Sequence, residues 1–149
     1  MFSPGNLLYF SNFIFPNGNP SKPKYFIVLN SVDGEVIVAS LPTSKDHIPS
    51  SLPKKHGCIH NDKMCVNCYY FEKGRPISEC GFGFPRDTYV YGEQVMMLDV
   101  ELLKRNYKEG IDVEKKCRLA FPEFKSLVSC LSKSTSMKRK IKRHLPQTK

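Results

Sequence analysis

Apolar residues along this chain gather into short runs broken by turn-forming residues, the pattern of strands rather than of long helices. The clearest pair is Tyr25-Phe-Ile-Val-Leu29 and Val36-Ile-Val-Ala39, separated by Asn30-Ser-Val-Asp-Gly34. Both runs are built from β-branched, aromatic or aliphatic residues. The segment between them supplies a glycine for positive φ, with Asp and Asn to bond their own backbone, so the spacing predicts a β-hairpin. Its apolarity is near-continuous rather than alternating. That predicts strands covered on both faces, as in a small closed barrel.

The remaining pattern extends this reading. Gly5 to Phe15, GNLLYFSNFIF, predicts one bent or bulged strand. Pro16 to Pro23 is too dense in Pro and Gly for a regular element, and Lys45 to Lys55, punctuated by Pro49 and Pro53, predicts an exposed, mobile loop. Val66 to Phe71 predicts a strand that resumes through Arg75-Pro-Ile77 after a Lys73-Gly74 turn, and Thr88 to Tyr91 predicts another. The character changes at Asp99, an N-cap followed by Glu101, by apolar Val100, Leu102, Leu103 and Tyr107, and by Gly110 as a stop. A second helix starts at Pro122, with Phe121, Phe124, Leu127, Val128 and Leu131 on one stripe. After Ser134-Thr-Ser136 the stretch MKRKIKRHL predicts a short basic helix that frays. Strands first and helices last predict a mainly β fold. The division is a small barrel over 1–110, carrying a cysteine-bearing insertion at 56–80, then a helical extension over 111–149.

Composition narrows the class. A chain of 149 residues, 40% apolar and 25% charged, has the size and make-up of one globular domain. No run approaches the roughly 20 apolar residues of a membrane-spanning helix. The N-terminus has no basic region ahead of its apolar residues and reads as strand, not as a signal peptide. The expectation is a cytoplasmic protein without a membrane partner. The net charge of +9 is uneven: no acid follows Glu123, while Lys138, Arg139, Lys140, Lys142, Arg143 and Lys149 crowd the end. Such a tail attracts RNA phosphate, acidic protein or anionic lipid alike, or is simply a solvated terminus.

Six cysteines in a cytoplasmic chain read as thiols or metal ligands rather than disulfides. Cys65-Val-Asn-Cys68 has the two-residue spacing that lets both thiolates reach one tetrahedral metal, and Cys58 and Cys80, or His60 in place of one, complete a structural zinc set. Against it, only one such knuckle is present, and buried cysteines are ordinary core residues. Cys117 and Cys130 read as core thiols.

Gly5-Asn-Leu-Leu, Lys24 opening the strand YFIVL, and VIVASLPTS resemble the MazF/PemK toxin family over roughly the first 45 residues. The Thr88–Val95 strand and the Asp99 helix fit its later part; the cysteine segment and the basic tail are outside the family pattern. The resemblance implies an SH3-like barrel, shared with CcdB, and a toxin–antitoxin endoribonuclease that cuts single-stranded RNA without a metal cofactor. It also implies an antitoxin protein as partner and a homodimer. By position, the family's catalytic arginine falls on Lys24 and its hydroxyl residue on Thr43, with Ser44 beside it. Lysine replaces arginine, and Pro42 adds a residue ahead of the threonine.

The chemistry asked of these residues is attack of a 2′-hydroxyl on phosphorus, with positive charge stabilising the phosphorane and a proton delivered to the leaving 5′-oxygen. Lys24 brings a point charge and a proton, without the bidentate fork of a guanidinium. Lys22 and Lys45 flank it as RNA contacts, and His47 and His56 are the nearest bases. The bland alternatives are equally concrete. Lys24 reads as an edge charge that discourages strand pairing, and Thr43-Ser44 as the start of a loop. A non-catalytic barrel that binds nucleic acid or a protein partner is the competing function. Some of Phe10, Phe13, Phe15, Tyr69, Tyr70, Phe71, Tyr89 and Tyr91 would then stack on bases, while most fill the core.

Overall fold

A computed structural model describes residues 1–14, 18, 20–41 and 50–146. Two antiparallel sheets and three helices make the fold mainly β. In chain order the elements are β1 (Asn6–Phe13), β2 (Lys22–Val32), β3 (Glu35–Leu41), β4 (Gly57–Asn61), β5 (Val66–Phe71), β6 (Thr88–Tyr91), a 3₁₀ turn (Gly92–Gln94), β7 (Val95–Asp99), α1 (Val100–Asn106), β8 (Val113–Arg118), α2 (Phe121–Ser132) and α3 (Arg139–Lys142). The larger sheet has the order β7-β3-β2-β1-β8 and the smaller β4-β5-β6. Among the described residues no strand pairing closes the two sheets into one barrel.

The central hairpin forms where the sequence places it. β2 and β3 pair with Tyr25 opposite Leu41 and Val32 opposite Glu35, leaving Asp33 and Gly34 as a two-residue turn. Both turn residues have positive φ, 49° and 79°, the backbone twist that matches antiparallel strands. β1 is bulged as expected, with register shifts against both β2 and β8.

Continuous apolarity in the hairpin has a different cause from barrel closure. One face of β2, with Ile27 and Leu29, joins Ile37, Leu41, Tyr69, Phe71, Val90 and the α2 residues Leu127, Val128 and Leu131 in the core between the sheets. Phe26 and Val28 point the other way, into a second cluster with Leu8, Phe10, Phe13, Leu103 and Tyr107 under α1. The smaller sheet and α2 cover one face and α1 the other, so each hairpin strand is buried on both sides. The Asp99 carboxylate caps α1, accepting from the Glu101 and Leu102 amides at 2.8 and 3.2 Å.

The C-terminal third is built into this architecture. β8 is an edge strand of the larger sheet, paired with β1, and was not visible in the apolar pattern because its outward residues Glu114, Lys115 and Lys116 dominate it. The tail is docked, not frayed, as far as residue 146. Met137, Ile141 and Leu145, spaced four apart, are buried in the inter-sheet core, while Lys138, Arg139, Lys140 and Arg143 stay exposed. Lys142 Nζ donates to the Ser134 carbonyl at 2.7 Å, and Asn30 Nδ2 to the His144 carbonyl at 2.7 Å. Phe121 departs from the expected helical stripe: it is 71% exposed at the start of α2.

Four cysteines also depart from expectation. Cys58 of β4 is disulfide-bonded to Cys130 of α2, and Cys80 to Cys117 of β8, with Cα separations of 5.5 and 6.3 Å. The bonded partners are 72 and 37 residues apart, so nothing in the local spacing marks them. One bridge ties the smaller sheet to α2; the other ties the β5–β6 connection to the larger sheet.

Candidate functional site

Lys24 lies near the start of β2, opposite Phe10 of β1, and alternation puts it on the α1 side of the sheet with Phe26. Its ammonium is half-buried, and burial, helped by the nearby charge of Lys22, holds its pKa below the ordinary lysine value. β3 ends at Leu41, across from Tyr25, so its C-terminal end meets the lysine-bearing end of β2. Thr43, Ser44, Lys45, His47 and Lys149 lie outside the described residues.

The sequence-derived zinc set is not brought together. Cys58 and Cys80 are each bonded to a different partner. Cys65 is an exposed thiol at φ 53° in the β4–β5 turn, and Cys68 is a buried one. Burial pushes the Cys68 thiol up to about 11, away from the thiolate that a metal needs. His60 is engaged through both ring nitrogens, Nε2 with Asp62 Oδ1 at 3.0 Å and Nδ1 with Asn67 Nδ2 at 3.0 Å. Among the described residues no cluster of three His, Cys, Asp or Glu side chains is positioned for a metal ion.

A polar constellation that the sequence did not announce lies between α2 and the smaller sheet. Glu123, in the first turn of α2, faces His56, just before β4, and Tyr69 of β5. His56 Nε2 is 2.9 and 3.0 Å from the two Glu123 oxygens, and the Tyr69 hydroxyl donates to Glu123 Oε2. The Glu72 amide donates to His56 Nδ1 at 3.0 Å. An amide is only ever a donor, so Nδ1 must accept and the neutral ring carries its proton on Nε2, aimed at the carboxylate. Burial and the Glu123 hydrogen bond push the Tyr69 phenol well above its ordinary pKa, so it remains a donor. His56 is therefore held as an orienting group for Glu123.

The side chains of His56 and Glu123 are 6% and 14% exposed, so the carboxylate still reaches solvent. It opens onto a groove of about 610 Å³ whose lining includes Arg75, Lys125 and Lys133. Sequence reading missed these residues. Glu123 looked like an ordinary first-turn acid, and the cations are isolated along the chain until α2 and the β5–β6 connection come together.

Comparison with protein-family models, curated proteins and solved structures finds no match for this chain.

Proposed function

We propose that this chain is a metal-independent endoribonuclease of the MazF/PemK type acting on single-stranded RNA. Lys24 supplies the positive charge at phosphorus and the proton for the leaving 5′-oxygen, the 2′-hydroxyl proton passes to solvent, and by the resemblance Thr43 and Ser44 supply hydroxyls. The observation that carries the reading is Lys24 itself. It is a half-buried cation with a lowered pKa, at the strand end opposite the terminus of β3. Lowering a lysine pKa brings its acid and base forms closer in energy, which suits a group that donates a proton in the transition state. The hairpin at the centre of a five-stranded antiparallel sheet supports an SH3-like ancestry for the larger sheet. The reading carries with it an acidic antitoxin, a homodimer and a cytoplasmic site of action, where the two disulfides would be held reduced.

The four exposed cations on and flanking α3, Lys138, Arg139, Lys140 and Arg143, favour one alternative, a non-catalytic module that holds nucleic acid or an acidic partner. One experiment separates the two. Purified protein is incubated with single-stranded RNA in EDTA, as wild type and as Lys24→Ala, and wild type is expressed from an inducible promoter in bacteria. Scission in EDTA, growth arrest on induction and loss of scission in Lys24→Ala support the nuclease. Salt-sensitive binding of intact RNA, with harmless expression, supports the module.

A further inference from the structure

The geometry points to a ribonucleotide-binding subsite in the groove between α2 and the β4–β5 hairpin. In it Arg75, Lys125 and Lys133 hold the phosphodiester, and Glu123 accepts a hydrogen bond from the 2′-hydroxyl. The choice of RNA rests on the ribonuclease reading and on the mixed character of the groove.

Three cations around one cleft are a phosphate-binding arrangement, with Arg75 able to contact two phosphate oxygens at once. Lys125 of α2 and Lys133, the residue that caps its C-terminus, are eight residues apart, about 12 Å along the helix axis, so the cations track a strand rather than surround one ion. A carboxylate among them repels a bare phosphate. It favours a ligand that offers a hydrogen-bond donor next to its phosphate, and the 2′-hydroxyl is the donor that separates RNA from DNA.

Glu123 is fixed for that task. His56 Nε2–H and Tyr69 O–H hold the carboxylate from the protein side, and His56 is itself fixed by the Glu72 amide. Two donors leave accepting lone pairs on the oxygens for the groove. Such a carboxylate does not rotate away when a ligand arrives, so its acceptor geometry exists before binding.

The test is binding of a short, fluorescently labelled single-stranded ribo-oligonucleotide and its deoxy counterpart, followed by anisotropy in the Lys24→Ala background. Wild-type groove residues should favour the RNA. Lys125→Ala/Lys133→Ala should weaken RNA binding about tenfold and flatten the salt dependence by about 1.4, since each single-strand phosphate contact contributes about 0.7. Lys138→Ala/Lys140→Ala, an equal charge loss at the start of α3, should weaken it less. In Glu123→Gln the single amide oxygen is taken by His56 and Tyr69, and an NH₂ donor faces the groove, so the preference for RNA over DNA should disappear. Equal affinity for the two oligonucleotides in the intact groove, or equal losses from the two lysine pairs, overturns the inference. Failure of the nuclease reading looks different: with Lys24 intact, RNA is bound in the groove but never cut. With Lys24 intact, scission that persists with unchanged binding in Lys125→Ala/Lys133→Ala removes the groove alone.

Discussion

His56 and Glu123 stand 67 residues apart in the chain and 2.9 Å apart in the fold, with the imidazole proton directed into the carboxylate. Tyr69 reaches the same carboxylate from β5, so one acidic side chain joins the smaller sheet to the first turn of α2.

Removing that acceptor leaves two buried donors unsatisfied. Glu123→Ala should therefore cost about 1–3 kcal/mol of stability, seen as a lower urea midpoint at unchanged slope. Tyr69→Phe deletes one donor and keeps the ring, so it should cost less. Equal midpoints for wild type and Glu123→Ala would show that the cluster contributes nothing to folding.

Lys24 has a pH signature. Its folded pKa lies below the ordinary lysine value, so the charged form is lost as pH rises through that lowered pKa. RNA cleavage should fall on the alkaline side earlier than an ordinary lysine would dictate. Lys24→Arg, charged at every accessible pH, should lose that limb if charge alone is needed. Because burial lowers the pKa, the folded state gains stability as pH rises from that lowered value toward the ordinary lysine value. Lys24→Met removes both the charge and the proton and should abolish scission. A cleavage profile identical in wild type and Lys24→Arg would remove Lys24 from the proton transfer.

The two disulfides should be chemically visible. Peptide mapping without reductant should recover Cys58 with Cys130 and Cys80 with Cys117, leaving Cys65 reactive to alkylation and Cys68 slow until unfolding. Each closes a long loop, and loss of one by Cys-to-Ser replacement should cost about 2–4 kcal/mol under oxidising conditions. With reductant present, wild type and variant should converge. Recovery of a Cys65–Cys68 pair instead would refute this pairing.

Gly92 follows β6, where the chain passes against Ser134, and a β-carbon there would collide with the serine hydroxyl. Gly92→Ala should destabilise by about 1–3 kcal/mol through overpacking. Adding Ser134→Gly should recover part of the loss, because it removes the colliding atoms. Thermal unfolding of the single and double variants measures the coupling.

How far the chain was legible differs by element. The β2–β3 hairpin, the Asp99 cap and the Pro122 helix start were readable because each depends on neighbours within a few residues. β4 and β7 were missed: one is short and polar at alternate positions, and the other follows a 3₁₀ turn that hides its start. The tail looked like a charge run, since cations outnumber Met137, Ile141 and Leu145. Only their four-residue spacing marks the buried stripe.

The candidate sites divide in the same way. Lys24 could be singled out only from its place at the opening of an apolar strand, together with a resemblance to a toxin family that puts a catalytic cation at that position. The cysteines misled because Cys65 and Cys68 stand with two residues between them, a metal-ligand spacing, whereas the bonded sulfurs meet only after β4, β8 and α2 have packed. The groove around Glu123 had no sequence signal at all. By itself the sequence determined local geometry: which residues turn, cap, extend and alternate, since these follow from dihedral preference and short-range hydrogen bonding. Tertiary structure decided what covers each face of the hairpin, which sulfurs pair and which charges converge. Those outcomes depend on the packing of elements tens of residues apart, where burial and chain closure rather than local preference set the partners.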